Sequence, residues 1–299
     1  MSNYHNPVML NECLEGLNIN PGGTFVDVTF GGGGHSRAIL DKLNSNGRLI
    51  AFDQDDDAQA NALHDPRFTL VNHNFRYLKR FLRYNDALPV DGILADLGIS
   101  SHQIDEPERG FAHRYDAVLD MRMNQKAGPS AGDVVMTYAE EELQRVFRWY
   151  GELYNAKSIA STLGAARAKG PIRTTGELKS VLHRYAPRGK ENQFYSQVFQ
   201  ALRIEVNGEL DVLREFLEQS LDVLSVGGRL VVMSYHSLED RLVKNFMQTG
   251  DFEADDTRDL FGNRIRPFEP VGKAIKAGTE EIESNPRARS ARLRIAEKK

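Results

Sequence analysis

The first hundred residues alternate short apolar runs with amphipathic stretches. Phe25-Val26-Asp27-Val28 is followed almost at once by Gly31-Gly32-Gly33-Gly34. The pattern predicts a strand there, then a helix from about His35 to Leu43 and a second strand over Arg48 to Phe52 that ends against Asp53. A third strand is predicted over Phe68 to Val71 and a fourth over Asp91 to Asp96. Short apolar runs separated by helical periodicity are those of a parallel sheet covered by helices.

The period then changes. Leu143, Val146, Phe147 and Tyr150 recur at i, i+3, i+4 and i+7, after a Thr137 and Glu140 pair with capping-box spacing. Thr174 and Glu177 repeat the cap, and Leu178, Val181, Leu182 and Tyr185 repeat the stripe. Gly128-Pro129, Gly170-Pro171 and Pro187-Arg188-Gly189 punctuate the segment. This predicts a helical domain over 109–205, inserted between two parts, 1–108 and 206–299, of an α/β domain. The earlier pattern resumes with a helix near Glu209 to Leu224, stopped by Gly227-Gly228. A strand over Arg229 to Met233, a helix over Ser237 to Met247 and strand-like alternation over Ser290 to Ala296 follow.

Composition narrows the class. The chain has 299 residues, 40% hydrophobic and 27% charged, which is ordinary for a globular protein with room for two domains. Its first residues, MSNYHNPVMLNECLEG, carry no basic start followed by an apolar stretch, so no signal peptide is expected. No uncharged apolar run approaches the length of a membrane span. A single cysteine, Cys13, excludes an intramolecular disulfide and a cysteine-rich zinc site, and points to a reducing cytoplasm. The net charge of −4 argues against a protein that coats nucleic acid along its whole surface. Yet 109–205 holds 15 Lys and Arg against 10 Asp and Glu, a balance of +5 that leaves −9 for the remainder. A basic module in an acidic protein suggests a polyanionic partner.

The chemistry follows from the layout of strand, glycine loop, helix, strand and acid, which suits a nucleotide. Glycines let backbone approach a ligand closely, and Asp53, about twenty residues beyond them, can accept two ribose hydroxyls. The dinucleotide fingerprint is incomplete, because counting G-x-G-x-x-G from Gly31 puts Ser36 at the third glycine. That weakens an NAD-dependent oxidoreductase and leaves room for S-adenosylmethionine, which has an adenosine but no phosphates. No P-loop occurs at these glycines.

Six stretches then carry a resemblance. They are Asp27 to Ser36, Asp96-Leu97-Gly98-Ile99-Ser100-Ser101, Asp120-Met121-Arg122-Met123, Phe199 to Ile204, Ser234 to Arg241 and Asn285 to Ser290. In this order they make the chain similar, from Pro7 to Glu297, to the ribosomal small-subunit RNA methyltransferase H (MraW-type) family. The resemblance implies a Rossmann-like S-adenosylmethionine-dependent methyltransferase fold with an inserted helical, substrate-recognition domain. It implies methyl transfer to N4 of a cytidine in the decoding region of 16S rRNA, with the small ribosomal subunit as partner, and it leaves a homodimer open. By the same resemblance the cofactor residues are Gly33, Gly34, His35, Asp53, Phe75, Asp96 and Gln103. Ser101-His102-Gln103 replaces the commoner Ser-Pro-Gln of that family.

A cytosine amine is a poor nucleophile, since its lone pair is shared with the ring. A carboxylate accepting its N–H would favour attack. Asp96, at the end of the fourth strand, is the first catalytic candidate and His236, after the fifth, the second. Tyr235 and Phe111 are candidates to stack on a base taken out of its stack. Methylation at C5 would instead need a thiolate. Cys13 lies before the first strand, far in sequence from Asp96 and His236, and reads as a small buried residue. The alternatives are a methyltransferase of another substrate and a non-catalytic RNA-binding protein.

Overall fold

A computed structural model of the chain describes residues 7–253 and 266–299. Its strands are β1 (Thr24–Asp27), β2 (Arg48–Phe52), β3 (Phe68–Val71), β4 (Val90–Asp96), β5 (Leu224–Ser234), β6 (Phe268–Pro270), β7 (Ile275–Lys276) and β8 (Arg292–Lys298). They form one sheet in the order β3-β2-β1-β4-β5-β8-β6, with β7 also paired to β8. The first five run parallel, whereas β8 is antiparallel to β5, β6 and β7. This is the expected Rossmann-like α/β arrangement, extended by an antiparallel edge.

Period-two alternation sorts the strand side chains to two faces. Val26, Ile50, Ile93, Leu230 and Val232 face one core. The helices Leu78–Tyr84, Glu209–Val223 and Ser237–Thr249 close it with Leu82, Phe216 and Phe246. Phe25, Leu49, Leu94, Val231, Met233 and Leu293 face the other core, closed by Leu10–Leu17 and Gly34–Leu40 through Leu17 and Ile39. Each such large side chain contributes about 1.5–3 kcal/mol by leaving water, so both faces of the sheet are anchored independently.

The chain divides into two compact units, Met1–Gly98 with Leu210–Lys299, and Ile99–Glu209. The second boundary pair lies outside the 109–205 expected from sequence. It brings in Asp105, Glu106, Glu108 and Glu209, so the helical unit holds 15 Lys and Arg against 14 Asp and Glu, a balance of +1 rather than +5. The helical unit has its own core, with Val134, Leu143, Val146, Phe147, Leu163, Leu178 and Leu202 all fully buried. Among the described residues no helix is long and apolar enough to cross a membrane.

Three local expectations need correction. Thr137 does not cap the helix Glu140–Trp149. It ends the preceding helix, Ala131–Thr137, where its hydroxyl donates back to the Asp133 carbonyl at 2.7 Å. Gly227-Gly228 does not mark a stop before a strand, because β5 already starts at Leu224. The register jumps from Val90 against Leu224 to Gly92 against Arg229, and the glycines lie in the resulting bulge, with Gly227 at φ 81°. β8 begins at Arg292, since Ser290 closes the 3₁₀ turn Pro286–Ser290.

Candidate active site

The strand order reverses between β1 and β4. In a sheet of this kind the crevice for a ligand opens there, beyond the carboxyl ends of the strands. Asp27 is the last residue of β1 and Asp96 the last of β4. Asp53 follows β2 directly, and Tyr235 follows β5.

Asp27 is buried and fully used by the chain itself. It accepts the Thr29 N–H at 3.1 Å and the Ser36 hydroxyl at 2.7 Å. Ser36, the residue that breaks the dinucleotide fingerprint, therefore supplies a hydrogen-bond donor to a buried acid. The Thr29 hydroxyl oxygen also accepts the Asp96 N–H at 2.7 Å, tying the ends of β1 and β4 together. The contacts of Asp27 and Thr29 are not readable from the sequence, because their partners come from the next helix and from another strand.

The glycine loop is shaped by the protein's own packing. Gly33 has φ +75°, and a Cβ on it would lie 2.9 Å from the Phe30 ring. A Cβ on Gly34 would lie 2.4 Å from Pro7 Cγ. The loop is held to the second strand by Asp53, whose Oδ2 accepts the Gly31 N–H at 2.7 Å and whose Oδ1 accepts the Asp55 N–H at 2.9 Å. Burial pushes the Asp53 carboxyl up to about 6 despite those two hydrogen bonds.

Asp96 sits between a tyrosine and a histidine. Its Oδ1 accepts the Tyr235 hydroxyl at 2.7 Å, and its Oδ2 lies 3.8 Å from His35 Nδ1. His35 Nε2 sits 3.1 Å from the Val8 carbonyl, which can only accept, so Nε2 carries the proton and Nδ1 faces the carboxylate. Burial raises Asp96 to about 6, while His35 and Tyr235 pull it down. Tyr235 is raised well above the ordinary phenol value by burial and by the charge of Asp96. Its hydroxyl is thus a fixed donor rather than an acid.

His236 is the N-cap of Ser237–Thr249. Its Nδ1 accepts the Glu239 N–H at 3.4 Å and its Nε2 lies 3.1 Å from Glu239 Oε1. Glu239 in turn accepts the N–H groups of Tyr235 at 2.9 Å and His236 at 3.3 Å. Nδ1 is thus engaged with the first turn of the helix, while Nε2 is buried beside Glu239 without a hydrogen-bond partner among the described residues.

The remaining candidates divide. Phe75 opens a 3₁₀ turn just after β3, and its half-buried ring meets Phe216 edge-on with centroids 5.4 Å apart, so part of it is core. Gln103 belongs to the helical unit, where its Oε1 accepts the Ser100 N–H at 3.1 Å in a capping box. Phe111 also belongs to that unit and is buried in its core, which corrects its expected role as a stacking face. Cys13 is fully buried, and its thiol is raised by burial and then by the charge of Asp96. The fold therefore brings it within electrostatic reach of the site, as a protonated and unreactive thiol.

A model of the MraW methylase family matches residues 2–299. The chain is 59% identical over 295 residues to the ribosomal RNA small subunit methyltransferase H of Flavobacterium johnsoniae, covering 99% of this chain and 98% of that one. It is 60% identical over 297 residues to the protein of that name from Cytophaga hutchinsonii, covering 99% of each. With Bacteroides thetaiotaomicron the figures are 54% over 297 residues, 99% and 98%. Matched over nearly its whole length, with its acids gathered at the switch point of the sheet, the chain belongs to the MraW methylase family.

Proposed function

We propose that this chain is a cytoplasmic enzyme that transfers a methyl group from S-adenosylmethionine to N4 of a cytidine in the decoding region of 16S rRNA. The name shared by its relatives supplies the class of substrate. The observation that carries the chemistry is Asp96, held from one side by the Tyr235 hydroxyl and flanked on the other by His35.

The site suits this cofactor. Asp27, Asp53 and Asp96 end three neighbouring strands, a grouping that favours a cationic sulfonium and would repel the pyrophosphate of a dinucleotide. Asp53 holds the ribose hydroxyls with lone pairs its backbone donors leave available. Gly33, Gly34 and His35 shape the wall of the loop, and Phe75 lies beyond β3 for the adenine. Bound S-adenosylmethionine supplies the electrophilic methyl carbon.

Asp96 accepts an N–H of the exocyclic amine, turns its lone pair toward that carbon and takes the proton that N4 gives up. Tyr235 and His35 fix the carboxylate, so little reorganisation is needed during transfer. His236 positions Tyr235 through Glu239. Residues Ile99–Glu209 hold the RNA.

The test is incubation with labelled S-adenosylmethionine and under-methylated small subunits, followed by mass spectrometry of the nucleosides. Label should appear in N4-methylcytidine, vanish with Asp96→Ala and largely persist with Cys13→Ala. Label in 5-methylcytidine, or a folded Cys13→Ala protein without activity, would overturn the mechanism.

A further inference from the structure

A cleft of about 540 Å³ opens in the sheet-bearing unit beside the loop that carries Tyr235 and His236. Four separate elements deliver cations to it. Arg241 and Lys244 stand one turn apart on the helix Ser237–Thr249. Lys276 of β7 lies in register with Arg292 of β8, and Arg289 comes from the 3₁₀ turn before β8. All five side chains are exposed.

The acids around them do not balance this charge. The one carboxylate lining the cleft, Asp240, is already shared. Its Oδ2 lies 3.2 Å from Arg292 Nη1, and Arg294 binds both of its oxygens at 2.7 and 3.1 Å. Among the described residues no carboxylate lies within ion-pair distance of Arg241, Lys244, Lys276 or Arg289. The unit as a whole holds 23 Lys and Arg against 28 Asp and Glu, so this concentration runs against its net charge. Like charges gathered without counter-charges cost energy unless a polyanion relieves them.

We propose that this cleft binds the sugar-phosphate backbone of the substrate RNA next to the target nucleotide. The inference rests on the function proposed above. Tyr235 and His236 line the cleft while the Tyr235 hydroxyl reaches Asp96, so a strand held by these cations passes within one residue of the acceptor carboxylate. The cleft contacts phosphates, so it contributes affinity and register but no base specificity. It also supplies what the helical unit, at +1, does not provide through net charge.

The test uses the full-length protein and a labelled single-stranded fragment of the 16S decoding region. Arg241→Ala/Lys244→Ala should weaken RNA binding about ten-fold at moderate salt. The slope of log affinity against log salt should fall by about 1.4, from roughly 0.7 per phosphate contact on single strands. Arg289→Ala should lower it by about half as much. Both variants should keep the affinity for S-adenosylmethionine, raise KM for small subunits and leave kcat within about two-fold. An unchanged RNA affinity and slope in both variants overturns the proposal. So does an effect seen with intact subunits but not with naked RNA, which would place an acidic protein in the cleft. Cleft-dependent RNA binding by a wild-type protein that transfers no methyl group would support the cleft and overturn the proposed function instead.

Discussion

Tyr235 and Asp96 form the contact on which the proposed chemistry turns, and pH separates its components. The proposed mechanism requires Asp96 ionised, so kcat/KM should rise with pH through a midpoint near 6. The Tyr235 hydroxyl lowers the carboxyl, so Tyr235→Phe should move that midpoint upward, whereas a tyrosine that only packs would leave it in place. Stability runs the other way. A carboxyl raised from 3.8 to about 6 binds more protons folded than unfolded between those values. Asp96→Asn should therefore be more stable than the wild type at neutral pH, with an advantage that shrinks as pH falls from about 6 toward 4; denaturant titrations across that window measure it. Asp53 titrates in the same range but acts on the cofactor. A hydrogen bond to a charged group contributes roughly 1.5–3 kcal/mol, so Asp53→Ala should weaken S-adenosylmethionine about ten-fold or more by calorimetry, with the protein still folded.

At the level of elements, what could be read from sequence was set by local rules, and what could not depended on distant partners. Thr174 illustrates the first. Its Oγ1 accepts the Glu177 N–H at 3.1 Å while Glu177 accepts the Thr174 N–H at 2.9 Å, as the spacing of the pair implied. Thr174→Ala should cost about 1 kcal/mol, lowering the melting temperature of the helical unit without changing cofactor affinity. Thr137 and Glu140 have the same spacing, yet Thr137 finds a nearer partner one turn back, and Ala139 takes the cap position with its N–H on Glu142 at 2.8 Å. Asp53 and Asp96 were visible because an acid at a strand end is a local signal. The link from Asp27 to Ser36 and the crossing of Thr29 to β4 were hidden, since the register of the sheet creates them. The helix Ala156–Arg167 also escaped, its small residues giving only a faint apolar stripe.

For the whole molecule, the consequence of having two units is thermodynamic separability. Ile99–Glu209 is one continuous segment with a core of its own, which is what independent folding requires. Expressed alone, it should give a single cooperative thermal transition, and a broad or absent transition would show that it depends on the rest of the chain. Joining Gly98 to Leu210 by a short Gly-Ser linker should keep S-adenosylmethionine binding, abolish methylation of small subunits and retain the cleft-dependent part of RNA binding. Loss of all cofactor affinity in a folded linker variant would mean that the helical unit completes the cofactor site.

The position of β8 sets a schedule for biosynthesis. It lies between β5 and β6, pairs with β7 as well, and follows the other described strands in sequence. The helical unit can mature while the polypeptide is still emerging, because everything it needs lies between its own ends. The sheet has to wait. Until Arg292–Lys298 has been translated, β5 presents an unpaired flank of Arg229 to Ser234, apolar from Leu230 to Met233, and translation arrest before that point should leave a nascent chain that recruits chaperones. The outer flank of β5, the strand that leads into Tyr235, is thus closed only once Arg292–Lys298 has been made.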